Sequence, residues 1–234
     1  MRRVAVLAVL AGSALAVCVA PAGATRECDG LQVCVPLAGP WIVVPTSNSV
    51  PRPRVEYHLS CPRGYIVGGL DAELTDRAID ISFVGALGSP VNPGITTTRS
   101  VVFVASYVGV VSRFKAPTFR PHVGCMPTSG GGRVLTSAGV VAPGKPTVRH
   151  VSVIHVDPGT RVVTKRCAAG ERLIAASHAV GFFSIRPPGV RLVRSVQVSR
   201  RVRAGRVSIV VRAGQTARQE PVVVQVSLVC AGGA

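Results

Sequence analysis

Acidic side chains and aromatic rings are both scarce in this sequence: 10 Asp and Glu stand against 27 Lys and Arg, with one Trp, three Tyr and six Phe. Outside the segment 71–80 the carboxylates are scattered, which disfavours hydrolysis by a carboxylate pair. Trp41, Tyr57, Tyr65 and Tyr107 are the only candidate stacking platforms for sugars, too few for a neutral-sugar site. No C-x-x-C or H-x-x-x-H pair offers zinc ligands, and no G-x-S-x-G elbow offers a nucleophile. His58, His122, His150, His155 and His178 do not pair at ligand spacing; His150 and His155, five apart, fall on opposite faces of a strand. These gaps argue against an enzyme, and no cofactor is read from the chain.

Long apolar runs are missing too, except at the start. Arg2 and Arg3 precede the apolar stretch Val4–Ala20, and Ala22-Gly23-Ala24 closes it with small residues. This is the layout of an export signal, with cleavage expected before Thr25 and residues 1–24 removed. Cys18 follows Val17 where a lipoprotein signal carries a small residue, and Arg2-Arg3 lacks the Phe-Leu pair of twin-arginine export. Beyond the signal no uncharged stretch reaches membrane length, since Gln225 interrupts Val222–Val226. The mature chain is expected to be secreted without a transmembrane anchor, free or associated with the cell envelope.

Removing Arg2 and Arg3 leaves 25 basic and 10 acidic residues, a net charge of +15. Residues 157–234 hold 13 of those basic groups against three acidic ones. A field of that sign favours anionic partners, such as an acidic envelope polymer. Nucleic acid is the weaker candidate, because from residue 157 onward only Phe182 and Phe183 could stack on bases, and both read as core.

Six cysteines remain in the mature chain, an even number that reads as a disulfide framework in an exported protein. Cys28 and Cys34 lie six apart, Cys61 and Cys125 64 apart, and Cys167 and Cys230 63 apart. The near-identical long spacings predict those three pairs. The residues entering each long pair agree as well. Trp41–Val44, a break, and Val55–Cys61 followed by Pro62-Arg63-Gly64 parallel Val151–Val156, Asp157–Thr160, and Arg161–Cys167 followed by Ala168-Ala169-Gly170. Gly68-Gly69 and Ala175-Ala176 come next in the two copies. The chain thus reads as an internal repeat over about 40–126 and 147–231. The expected division is a first β-module at 25–132 carrying the Cys28–Cys34 loop, a linker at 133–146, and a second β-module at 147–234.

Alternation with period two dominates both copies. Ile79, Ile81 and Phe83 alternate with Asp80 and Ser82; Val207, Ile209 and Val211 alternate with Arg206, Ser208 and Arg212; Val222, Val224, Val226, Leu228 and Cys230 share one parity. Val190, Leu192, Val196, Val198 and Val202 read as one strand face, with Arg191, Ser195, Gln197, Ser199, Arg201 and Arg203 on the other. Only Ala72–Ala78 suggests a short helix, and Leu74 with Ala78 makes a thin stripe. The fold class expected is all-β: two repeated, disulfide-stapled, β-sandwich-like modules.

Cys61-Pro62-Arg63-Gly64-Tyr65-Ile66-Val67-Gly68-Gly69, with the closing Ser227-Leu228-Val229-Cys230, resembles the C-P-x-G…G-G…V-x-C pattern of small cysteine-flanked β-modules. Such modules occur in uncharacterised secreted proteins of high-GC Gram-positive bacteria. The second copy departs from the pattern at Ala168 and at Ala175-Ala176. The resemblance implies a secreted β-module and brings no catalytic residue.

Two clusters are candidate sites. Asp71, Glu73, Asp76 and Asp80 gather four of the ten carboxylates, a weak calcium candidate without the glycine and spacing of an EF-hand loop. Arg191, Arg194, Arg201, Arg203, Arg206 and Arg212 fall in adjacent predicted strands, where guanidinium forks suit phosphate and carboxylate groups. The function expected is a non-enzymatic structural or binding module, with anionic-polymer binding through the arginine face as the sharper version and an exported hydrolase as the remaining alternative.

Overall fold

The computed structural model describes residues 25–85, 98–128 and 147–232. The expected signal segment 1–24 with Cys18, and the expected linker 133–146, lie outside the described residues. Among the described residues the chain is all-β, apart from one five-residue helix and one 3-10 turn. The first strands are β1 (Val35–Ala38), β2 (Trp41–Val43), β3 (Arg54–Ser60), β4 (Tyr65–Leu74), β5 (Ile79–Gly85), β6 (Ser100–Tyr107) and β7 (Thr118–Pro127). After them come β8 (Thr147–Val156), β9 (Gly159–Arg166), β10 (Glu171–Phe182), helix α1 (Val190–Arg194), β11 (Val196–Arg203), β12 (Arg206–Ala213) and β13 (Val222–Gly232).

One long antiparallel sheet runs through the molecule. In its first half β4 lies on one side of β7, while β1 and β2 follow each other along the other side. β2 then pairs with β10 through Ile42↔Gly181 and Trp41↔Phe182, and the sheet continues through β13 to β8. Two smaller sheets, β3-β6-β5 and β11-β12-β9, complete the architecture.

The pairing scheme of residues 41–127 recurs in residues 147–232. β2-β7-β4 with β3-β6-β5 corresponds to β8-β13-β10 with β9-β12-β11. Even the irregularities coincide. Val67 faces Cys125 and Gly69 faces Gly124 across a bulge, just as Leu173 faces Cys230 and Ala175 faces Val229. This register matches Gly69 with Ala175, one residue off the alignment of Gly68-Gly69 with Ala175-Ala176 suggested by composition.

Because successive strand residues point to opposite faces, the shared sheet carries a core on each side. Ile42 and Ala179 belong to the first core with Phe103, Phe119 and Val123. Val43, Val180 and Phe182 belong with the second, built from Ile209, Val207, Val224 and Leu228. Each core is clamped by a disulfide at the expected pairing. Cys61–Cys125 and Cys167–Cys230, at Cα separations of 5.7 and 5.9 Å, tie the end of β3 or β9 to β7 or β13 across the sandwich. A closed loop of this length stabilises the fold by about 4 kcal/mol in the chain-entropy account.

The two halves are fixed by polar contacts where the free edge of β3 meets the outer face of β8-β13-β10. The buried Gln225 amide accepts from the His58 backbone N–H at 2.6 Å and donates to the His58 carbonyl at 2.9 Å. Beside it Arg149 Nη1 donates to Glu56 Oε2 at 2.7 Å and to Ser227 Oγ at 2.8 Å, while Ser177 Oγ donates to the same carboxylate oxygen at 3.2 Å.

Two local expectations are corrected. Val190–Arg194 is helical rather than part of a strand: Pro187-Pro188-Gly189 breaks the chain first, and Leu192 and Val193, neighbours in sequence, both pack on the second core, as a helix allows and a strand does not. Phe182 is fully buried as expected, but Phe183, the next residue, points outward and is 48% exposed.

Candidate anion-binding face

The sheet β11-β12-β9 turns its inward parity to the second core and its other parity to solvent. β11 and β12 are joined by Ala204 and Gly205, with φ of 48° and 69°, the left-handed pair that a tight hairpin demands. That turn sets Arg203 opposite Arg206, and Arg206 lies opposite Arg166 on β9. Three arginines therefore form one row across three strands that lie about 4.8 Å apart. In the neighbouring outward row Arg201 faces Ser208, which faces Thr164.

Arg166 and Arg206 also line a cleft of about 640 Å³, with Arg172 on β10 and with Cys167, Ala168, Ala204 and Gly205. Its one carboxylate, Glu171, is committed elsewhere. Glu171 Oε2 lies 2.7 Å from His150 Nε2 and accepts from the Ala168 N–H at 2.9 Å, and these bonds, the histidine first, hold its carboxyl below the usual range. Among the described residues none of Arg166, Arg172, Arg201, Arg203, Arg206 and Arg212 forms an ion pair. Like charges set directly opposite each other on a sheet are destabilising. Among the described residues no carboxylate offsets the like charges of this row.

The six arginines singled out in the sequence do not all converge. Arg201, Arg203 and Arg206 share one end of the outer face; Arg212 lies at the other end of β12, opposite Gln197 and Thr160. Arg191 and Arg194 sit on α1, and Arg194 donates to the Arg113 carbonyl of the first half. Sequence reasoning missed Arg166 and Arg172. Their signal was the repeat itself: Arg166 precedes Cys167 at the end of β9, which the pairing scheme places beside β12.

The four carboxylates of the calcium candidate are dispersed. Asp71 and Glu73 lie on β4, where Asp71 accepts from the Arg26 and Ala72 N–H groups and Glu73 Oε1 is 3.3 Å from His122 Nε2. Asp76 occupies the β4–β5 turn and accepts from Ala78 N–H, Lys115 and Tyr107, contacts that hold its carboxyl low, the Ala78 bond foremost. Asp80 is exposed on β5. The only cluster of metal-ligating residue types among the described residues is His150, Glu171 and Cys230, and its sulfur is held in a disulfide.

A buried polar group was not foreseen. The N-terminal loop closed by Cys28–Cys34 lies on the outer face of β4-β7, placing the buried Glu27 3.6 Å from Nδ1 of the buried His122. A Cβ at Gly69 would stand 1.7 Å from the Glu27 carbonyl oxygen, and one at Gly124 2.1 Å from it. The glycines are there because the loop is; the matching positions in the second half, Ala175 and Val229, carry side chains. The candidate sugar platforms are inward as well: Trp41, Tyr57 and Tyr107 are buried, and burial pushes the Tyr57 hydroxyl up to about 12.

No family model matches the sequence, and no curated protein and no solved structure matches it.

Proposed function

We propose that this chain is an exported, non-enzymatic protein built from two copies of one β-module, and that it attaches to anionic polymer of the cell envelope through the outer face of the second copy. The observation that carries the reading is the row Arg203-Arg206-Arg166, without an ion-pair partner among the described residues and extended by Arg201 and Arg172. An arrangement that destabilises the free protein is relieved by a chain of phosphates or carboxylates laid across it. Three disulfides fit an oxidising compartment. Among the described residues no helix is long and apolar enough to cross a membrane. The same reading places the chain with the cysteine-flanked modules of secreted high-GC Gram-positive proteins that it resembles.

Polymer is favoured over nucleic acid because the strands of the face offer guanidinium groups and no stacking ring: Phe182 is buried, and the exposed Phe183 lies on the β10–β11 connection, away from the Arg203-Arg206-Arg166 row. A hydrolase finds less support. Glu171, which lines the 640 Å³ cleft 2.7 Å from His150, is also held by the Ala168 N–H, while Glu27 and His122 are buried and line none of the principal clefts among the described residues.

Retention on purified cell walls and on heparin, eluted with salt, tests the proposal. The mature protein should elute late, and Arg201→Ser with Arg203→Ser and Arg206→Ser should elute at markedly lower salt, more so than a variant with any three arginines removed elsewhere. Equal elution of the two would refute polymer binding by this face.

A further inference from the structure

Two connections carry large exposed apolar residues, and one of them is much longer than its counterpart in the other half. β4 and β5 are joined by four residues, 75–78, whereas the matching β10–β11 connection takes thirteen, 183–195. The extra length presents Ile185 at 93% exposure and Phe183 at 48%. In the first half the β6–β7 connection, 108–117, presents Val110 at 85% and Phe114 at 74%. Isolated exposed apolar residues are ordinary, but large ones at the tips of two touching loops are not. The loops do touch: Arg194 at the end of α1 donates to the Arg113 carbonyl.

Basic side chains surround these tips. Arg113 stacks over the Phe114 ring at 4.8 Å, and Arg186 follows Ile185 and lines the same cleft of about 560 Å³. With Arg191 and Arg194 on α1, four arginines stand against Glu220, the one carboxylate lining that cleft; Lys115 and Asp76 cancel as an ion pair. Water offers nothing to a 93% exposed isoleucine, and a polyanion in solution offers it nothing either. A surface with anionic headgroups above hydrocarbon satisfies both components at once, the arginines at headgroup level and the apolar tips below it.

We infer that the loops 108–117 and 183–194 form a peripheral docking surface for a bilayer bearing anionic lipid. It is separate from the arginine row: α1 adjoins the start of β11 and Arg203 ends that strand, eight residues or about 26 Å away. The protein would then join two anionic surfaces, membrane at one end of the second half and polymer at the other.

The test is flotation of the mature protein with vesicles of phosphatidylcholine alone and of phosphatidylcholine mixed with phosphatidylglycerol. Binding to the mixed vesicles, weakened by salt, is expected, with Phe114→Ser plus Ile185→Ser lowering the partition coefficient about tenfold or more. That variant should keep its heparin elution and melting temperature, both tips being exposed. As a second readout, Phe114→Trp should shift its emission to the blue on mixed vesicles. Failure to float with phosphatidylglycerol would overturn the inference. So would flotation that ignores the tip changes and vanishes with Arg203→Ser and Arg206→Ser, since the vesicles would then be read merely as another polyanion. Heparin elution is scored separately, so polymer binding can fail while membrane docking stands, and the reverse.

Discussion

Replacing Arg206 by Gln should stabilise the protein while weakening its hold on polyanions. Arg206 lies between Arg203 and Arg166, directly opposite both. Two unit charges about 5.5 Å apart, a cross-strand side-chain distance, repel by about 0.75 kcal/mol in water, so two neighbours contribute about 1.5 kcal/mol before screening. With a Debye length of about 30 Å at 0.01 M salt, about 1.2 kcal/mol survives; at 0.15 M, with about 8 Å, roughly half remains. Glutamine keeps most of the apolar stem, so little packing is lost. For a chain of this size the gain corresponds to about 3 °C in melting temperature at low salt and about 2 °C at physiological salt. Differential scanning calorimetry at the two salt concentrations, alongside heparin elution, measures both consequences. Loss of stability in Arg206→Gln, or a gain that does not shrink with salt, would refute the claim that the row is strained by its own charge.

Other predictions concern the join between the halves and the N-terminal loop. Gln225→Ala leaves the His58 N–H and carbonyl without partners in a half-buried place and should lower unfolding free energy by about 1–3 kcal/mol in a denaturant titration, with Ser208→Ala on the open face as the near-neutral control. His58 and His178 have their pKa lowered by burial first, then by Arg149 and Arg99 for His58 and by Arg200 for His178. The folded state therefore binds these protons less readily than the unfolded chain, so stability is full above about pH 6.5 and falls as pH drops towards the lowered folded values. His58→Gln should flatten that decline between about pH 7 and 5, read as the denaturation midpoint against pH. Gly69→Ala, which drives a methyl against the Glu27 carbonyl, should free the N-terminal loop and hasten proteolysis within residues 25–34. Ala175→Gly, at the matching exposed position, should leave digestion unchanged.

How far the sequence reveals the molecule depends on the residue. The disulfide pairs were legible because covalent spacing, 64 and 63, repeats along with the strands it closes. Strand faces such as Val207, Ile209 and Val211 were legible because one side of each sheet is core and parity fixes orientation. The helix at Val190–Arg194 was not, for Val190, Arg191 and Leu192 alternate as a strand would, and only Val193 and Pro187-Pro188-Gly189 mark the break. The candidate anion-binding face was half visible. Arg201, Arg203 and Arg206 announced themselves by composition, but Arg166 joins them only through the pairing of β9 with β12, a relation between residues 40 apart. The Glu27–His122 contact was invisible for the same reason at greater range, although Gly69 and Gly124 recorded it as missing side chains.

The central claim is that the arginine row on β11-β12-β9 is the polymer site, and counterion release measures it most directly. The dissociation constant for long-chain polyphosphate should be followed against salt for the mature protein and for Arg166→Gln with Arg203→Gln and Arg206→Gln. The account predicts that the slope of log Kd against log salt falls by about 2 in the triple variant, while Arg191→Gln with Arg194→Gln leaves it in place. An unchanged slope in the triple variant, with binding intact, would contradict it.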